Sequence, residues 1–322
     1  DALFQLVAGR YVDLVGEGAE ALDAIHAYSP DAADELVGMA TGAEVPLAML
    51  AALNARTEIL ARLGNVTRGE CSTVVCLGTS GSPVSVQTWD WYELLQQDWL
   101  LWTIEHEDGT VVHTITEYGI LGKIGVNNRG VGVHLNILHH REDGGPIAVP
   151  VHVLARTVLD RSHGLGDALV EVGAARTSAS SVLTLVGADA AGASAICAEL
   201  SPAGPRYVLP SRDGVLLHTN HFLDPIAATG DLEPRIGPDS FLRLDVLRRA
   251  LAGRHDLDRD AIVTAMANHV GAGGALCCHP ETNAGPSDRW ATLVTVALDV
   301  LHGTLSARSG GPCNVSAPWE QA

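Results

Sequence analysis

Along the first 67 residues, apolar side chains recur three and four positions apart, as in Leu47, Leu50, Leu53 and Ile59. That is the period of helices with one buried face. Strong helix formers (Ala, Leu, Glu, Arg) dominate this stretch, and Pro30 and Pro46 stand near predicted helix starts. The pattern breaks at the polar loop 64–70, and Cys71 then opens a β-branched run over 72–76. A turn rich in Gly and Ser covers 78–83, and 84–90 alternates as a half-buried strand does. Further strands are predicted at 110–116, 124–127 and 131–137, the last two joined by the turn Asn127-Asn-Arg-Gly130. Helical periods return at 150–159 and 166–172, then strands at 181–186, 193–200, 206–209 and 214–220. An Arg-rich amphipathic helix is predicted at 238–251 and another at 258–268, with Asp258 as its cap. Strands at 276–279 and 290–298 close the sequence. Blocks of strands broken by blocks of helices imply sheets covered by helical layers, an α+β arrangement rather than a strict βαβα alternation. No internal repeat, low-complexity tract or long linker interrupts it.

With 322 residues and 47% hydrophobic content, the chain can bury a large core, as one large domain or two small ones. Charged residues interrupt every long apolar stretch, so no membrane span is expected. No basic start followed by an apolar block opens the sequence, so no signal peptide is expected within it; a leader removed beforehand stays open. Asp and Glu outnumber Lys and Arg by 38 to 20, a formal net charge of −18. Such a surface repels phosphate backbones and makes nucleic acid an unexpected partner. The six cysteines form no C-x-x-C pair, which suits buried or free thiols in a reducing compartment, hence a cytoplasmic location. Four of the six Trp fall between Trp89 and Trp102, either lining a pocket or interface or packing a core.

Several familiar motifs are missing. Gly78-Thr-Ser80-Gly-Ser82 fails as a serine elbow because Ser82 stands where the second Gly belongs, and it reads as a turn. No glycine-rich nucleotide loop follows a strand. Cys277-Cys-His279 offers soft metal ligands, but no further ligands at regular spacing can be assigned, so no metal and no cofactor is expected. His139 and His140 stand at a strand end and are expected to be solvated. A cysteine at a strand start, such as Cys71, is by itself most often structural.

The wider setting of Cys71 changes that balance. The segment Gly69-Glu-Cys71-Ser-Thr-Val-Val-Cys76, followed by Gln87-Thr-Trp-Asp90-Trp91, resembles the acyl-coenzyme A:isopenicillin N acyltransferase family. Leu53-Asn-Ala-Arg56-Thr-Glu58 is similar to the family's helix ahead of its cut, and Ile124-Gly-Val-Asn127-Asn-Arg-Gly130 to its central hairpin. The helix at 151–159 with Arg156, His218-Thr-Asn220-His-Phe222, Pro238-Asp-Ser240-Phe-Leu-Arg243 and Arg289-Trp-Ala-Thr-Leu resemble later signatures, in the family's order. The resemblance implies a four-layer αββα sandwich of the N-terminal-nucleophile hydrolase type. It also implies a precursor that cuts itself, here between Glu70 and Cys71. The products would be a helical α piece (1–70) and a β piece (71–322) that stay together as a heterodimer, which could assemble further into a homo-oligomer. Glu70 departs from the Gly of the family's penicillin enzyme, and its carboxylate would slow the first N-to-S shift or make it pH-dependent.

The implied chemistry suits the residue types. A thiol needs a base, and an N-terminal Cys71 would carry its own in the α-amine, with a pKa of roughly 7.7–8.0. The thiolate would attack the amide of a small N-acylated amine or amino acid, and water or a second amine would resolve the thioester. By resemblance Asn220 would stabilise the oxyanion and Asp90 would orient the Cys71 amine; alternatively they cap a turn and a strand end. Arg289 would hold a substrate carboxylate or brace Asp90, or form a structural ion pair. Trp89 and Trp91 would line the acyl pocket. Two competing readings are a ligand-binding scaffold that never matures, motivated by Glu70, and a metal-dependent amidase using Cys277 and His279.

Overall fold

The structure, a computed structural model, describes residues 4, 7, 11–64, 71–78, 82–254, 257–271, 274–285 and 289–322. Among the described residues, four helices lie between Leu14 and Arg62: α1 (Leu14–Tyr28), α2 (Pro30–Ala43), α3 (Leu47–Asn54) and α4 (Arg56–Arg62). Asp13 caps α1 by accepting from the Gly16 amide, and Ser29 both ends α1 and caps α2, with Pro30 in the first turn. Helices α1 and α3 cross closely at Gly18, where an added Cβ would lie 1.8 Å from the Ala48 carbonyl oxygen. Gly18→Ala should therefore destabilise the chain by about 1–3 kcal/mol, seen as a lower urea midpoint at unchanged slope.

The strands follow as β1 (Ser72–Cys76), β2 (Val84–Tyr92), β3 (Trp99–Glu105), β4 (Val111–Glu117), β5 (Ile124–Asn127) and β6 (Val131–Ile137). After α5 (Val151–Arg161) and α6 (Leu165–Ala174) come β7 (Ser181–Asp189), β8 (Gly192–Leu200), β9 (Arg206–Val208) and β10 (Val215–His218). A helical turn at Glu233–Ile236, α7 (Asp239–Leu251) and α8 (Arg259–Met266) precede β11 (Trp290–Asp299), β12 (Thr304–Ser309) and β13 (Glu320–Gln321). Asp258 caps α8 through the Ala261 amide, as its sequence position predicts.

All pairings are antiparallel. One sheet has six strands in the order β10-β1-β2-β11-β12-β13, the other seven in the order β3 to β9. Alternation along each strand builds the layers. On β1, Val75 faces the other sheet and joins a core with Ile124, Val126, Val182 and Leu293, while Val74 and Cys76 face α7 and α8 and meet Leu247, Ile262 and Met266. Val133 and Leu183 on the outer face of the second sheet pack under Leu154 and Val158 of α5. The result is the αββα sandwich. The N-terminal helices attach beside α5, with Ile25 and Leu36 against Val153 and Leu121. Among the described residues no helix is long and apolar enough to cross a membrane.

Two sequence expectations change here, and a third falls largely outside the described residues. Residues 276–279 are not a strand: the Cys277 amide donates to Asn268 O and the Cys278 amide to Thr292 Oγ1, so these donors are satisfied by a loop carbonyl and a hydroxyl. Strands β3, β12 and the two-residue β13 form where none was predicted. Much of the 78–83 turn lies outside the described residues.

Candidate active site

Cys71 immediately precedes β1, buried at the wall of a cavity of about 60 Å³ that also meets α4, β2 and the end of β6. The two sheets fix its surroundings. Asn136 on β6 donates from Nδ2 to the Cys71 carbonyl at 3.1 Å, and its Oδ1 accepts from Thr73 Oγ1 at 2.7 Å. From the opposite side Arg243 of α7 donates to the same carbonyl at 3.0 Å and to Ser72 Oγ at 2.9 Å. Arg243 is fully buried. Its second terminal nitrogen donates to Asn220 Oδ1 at 3.0 Å, and Nε reaches Asp239 at 3.3 Å. One guanidinium thus joins β1, α7 and the segment after β10.

Asp90, buried on β2, donates its backbone N–H to the Cys71 sulfur. Burial first, then the nearby Asp90 carboxylate, push the thiol up to about 12, against the pull of that N–H, Lys123 and Arg243. In the intact chain the sulfur is therefore a neutral thiol. Asn220 sits just past β10, its amide nitrogen bonded to Ser240 Oγ at 2.8 Å and its Nδ2 to Ile137 O at 2.9 Å. Cys71, Asp90 and Asn220 are brought into one region, Asn220 through Arg243.

Trp89 and Trp91 line the cavity; Trp99 and Trp102 lie on β3, the edge strand of the other sheet, so the four do not form one pocket. The polar wall is a buried triad. Arg56 of α4 grips Glu117 through two bonds of 2.9 and 2.8 Å, and Lys123 Nζ lies 2.5 Å from Glu117 and 3.7 Å from the centre of the Trp89 ring. Burial would raise the Glu117 carboxyl, but Arg56 and Lys123 outweigh it and hold it well below the usual range. Burial lowers Lys123 to about 8, despite the opposing pull of Glu117.

Arg289 does not brace Asp90. Its guanidinium pairs with Glu93, and its carbonyl accepts the Glu93 amide at 2.9 Å. His139 and His140 are not solvated, because the segment through Asp231 and the Glu233–Ile236 turn covers them. His139 Nδ1 lies 3.2 Å from Glu233, and burial pushes that ring down to about 4. Asn127 builds its turn, donating to Leu159 O and Ser162 O and accepting from the Arg129 and Val131 amides. Glu70 lies outside the described residues. The sequence shows no sign of Asn136 or Lys123, and Arg243 enters there only as part of a resembling signature, without a role. The signal for Arg243 was its place three residues after Ser240 and four before Leu247, on the buried face of α7.

Glu58 of α4 is buried and accepts the Val151 amide at 2.9 Å; burial raises its carboxyl from 4.5 to about 7. A raised carboxyl pKa means its stabilising contribution is complete below 4.5 and is lost as pH climbs through about 7. Glu58→Gln keeps the acceptor without the charge. It should match wild type at pH 4 and exceed it at pH 8 by about 1–3 kcal/mol in urea unfolding.

Residues 76–308, well over half of the chain, match the family described as acyl-coenzyme A:6-aminopenicillanic acid acyl-transferase, a span that begins after Cys71. The chain is 28% identical over 282 residues to the acyl-coenzyme A:6-aminopenicillanic-acid-acyltransferase 40 kDa form of Emericella nidulans, covering 87% of this chain and 75% of that one. It superposes on penicillin V acylase from Agrobacterium tumefaciens with a TM-score of 0.50 at 14% identity, over 78% of this chain and 85% of that one. A Caenorhabditis elegans ortholog of N-acylethanolamine-hydrolyzing acid amidase gives a TM-score of 0.49 at 15% identity, over 72% and 93% respectively. The chain belongs to the acyl-coenzyme A:6-aminopenicillanic acid acyl-transferase family, and its fold is that of the N-terminal-nucleophile hydrolases.

Proposed function

We propose that the chain cuts itself between Glu70 and Cys71, and that the freed cysteine hydrolyses or transfers the acyl group of a small N-acylated amine or amino acid. The clamp on the Cys71 carbonyl is the chief support. Chain termini fray unless tied down. Asn136 and Arg243 hold Cys71 from its carbonyl side, so the residue keeps its place when the bond on its amine side breaks.

In the first reaction the sulfur attacks the Glu70 carbonyl carbon, the C–N bond to Cys71 breaks, and the thiol proton ends on the released amine. Water then hydrolyses the thioester, leaving a Glu70 carboxylate and a free thiol. The intact chain has a protonated sulfur near 12, whereas the new α-amine, with a pKa of roughly 7.7–8.0, supplies a base suited to neutral pH. The amine takes the thiol proton and Asp90 orients it. The thiolate attacks the substrate carbonyl, with Asn220 as the donor toward the developing oxyanion. The leaving amine carries the proton away, and water or a second amine releases the acyl group from sulfur.

Bonds across the 70/71 boundary are expected to keep the pieces together as a heterodimer. Arg56 holds Glu117, Asn54 Oδ1 accepts the Leu121 amide at 2.9 Å, and Glu58 accepts that of Val151. A 60 Å³ cavity holds a few waters, far less than an N-acyl amino acid needs. The cavity must therefore widen to admit such a substrate, as expected of a precursor that matures by being cut. Trp89, Trp91 and Leu60 offer an apolar wall for the acyl group. Arg56 and Lys123 line the cavity and share the single Glu117 carboxylate, which leaves a net positive wall for a substrate carboxylate; we assign them that role because Arg289, paired one to one with Glu93, does not line the cavity.

N-terminal sequencing of the purified protein should find a second terminus reading Cys-Ser-Thr-Val. A single intact mass of 33.7 kDa would favour the non-maturing scaffold instead. Incubating the cut protein with an N-acyl amine and hydroxylamine then separates the two activities. Hydroxamate formed at the expense of free acid marks transfer; free acid alone marks hydrolysis.

A further inference from the structure

Cys277 and His279 belong to a larger group. His269 follows α8, Cys277 and His279 lie in the bend before β11, and Cys313 follows β12. Their ligand atoms all lie within 4.8 Å of one another, the only group of such potential ligands found among the described residues. His279 Nε2 stands 3.2 Å from His269 Nε2, 3.5 Å from Cys277 Sγ and 3.3 Å from Cys313 Sγ. An imidazole nitrogen has a single in-plane lone pair or a single N–H, so it cannot form three hydrogen bonds at once. A cation at the centre accounts for all three approaches. Zinc bound tetrahedrally at about 2.05 Å to nitrogen and 2.3 Å to sulfur sets ligand atoms about 3.3 Å (N to N) and 3.6 Å (N to S) apart. The three distances fall close to those edges.

We propose that His269, Cys277, His279 and Cys313 form a structural zinc site, separate from the Cys71 centre. Two thiolates and two imidazoles are a donor set suited to Zn²⁺. Four protein ligands leave no open position for water, so the metal is a brace and not the amidase centre that Cys277 and His279 alone suggest. The absence of a side chain at Gly311 leaves room for the sulfur: a Cβ there would lie 2.6 Å from Cys277 Sγ. His269 and His279 are exposed and Cys313 is half-buried, which gives the ion an entry path. The brace would tie the bend before β11 to the segment after β12. The Cys278 carbonyl accepts the Thr292 amide at 3.0 Å, and Thr292 is paired in register with Asp90. Zinc would thus stiffen the strand next to the one that carries Asp90.

The test uses the full chain, stripped with a chelator and dialysed against zinc chloride under reducing conditions. Elemental analysis should return about one zinc per chain, and zinc should raise the unfolding temperature by about 5 °C or more. Cobalt chloride should give the intense visible bands of tetrahedral thiolate coordination. Cys313→Ser and His269→Ala, both at accessible positions, should each lose stoichiometric metal and the thermal gain while keeping the folded far-UV spectrum. The proposal is overturned if the stripped protein takes up no zinc or if either variant binds as well as wild type. Peptide mapping that finds a Cys277–Cys313 disulfide persisting in reductant would overturn it too.

Discussion

A Cys71→Ala chain should remain whole at 33.7 kDa and lose turnover by about 10⁴- to 10⁶-fold, the scale seen when a nucleophile is deleted. The methyl group fits where the sulfur sits, so the variant should fold. Its thermal midpoint near that of wild type separates lost chemistry from lost structure. Cys71→Ser keeps a weak nucleophile and should cut slowly, if at all, without useful turnover. Alkylation gives an independent reading. A thiol at about 12 is ionised to only about one part in 10⁴ at pH 8. Peptide mapping should therefore find Cys71 unlabelled by iodoacetamide in uncut wild-type chain and labelled in cut chain, whatever happens at the accessible Cys313, with a rate that rises through the titration of the α-amine. A Cys71→Ala protein that is still cut at residue 71 and turns over normally would remove the thiol from the mechanism.

The sequence revealed the layers more readily than the contacts. The β-branched run after Cys71 marks a strand buried on both faces, and the alternation in 84–90 locates β2 but misjudges its burial, since β2 is buried on both faces rather than half-buried. Strand β3 escaped because Trp99-Leu-Leu-Trp-Thr-Ile-Glu105 is mostly half-buried at a sheet edge and does not alternate cleanly. Residues 276–279 were misread because a short apolar run looks the same in a strand and in a buried bend. The roles of Cys71, Asp90 and Asn220 rest on resemblance. The side chains that hold them lie at distant positions: Asn136 is 65 residues from Cys71, and Arg243 is 172. Likewise Cys313 meets His279 across 34 residues, a separation no local spacing rule anticipates. Arg243 was legible in principle, since a cation on the face of Ser240, Leu244, Leu247 and Leu251 must be buried and so must have partners.

Arg243 should prove the most sensitive position outside the nucleophile itself. Arg243→Ala leaves the Cys71 carbonyl, Ser72 Oγ, Asn220 Oδ1 and Asp239 without this donor. Removing one partner from a buried charged network typically costs about 3–5 kcal/mol. The expected result is a sharply lower unfolding midpoint, which alone would not distinguish positioning from stability. Arg243→Lys separates them. It keeps the positive charge and much of the volume, yet a single ammonium cannot reproduce a planar fork spread over β1, Asp239 and Asn220. If the fork positions Cys71, the lysine variant should fold, yet lose about 10²-fold in both the rate of self-cutting and kcat, as misplacement by about an ångström does. KM should change little, because Arg243 does not line the cavity. Equal self-cutting rates and kcat in Arg243→Lys and wild type would reduce Arg243 to a structural ion, and the clamp on Cys71 would then have to rest on Asn136 alone.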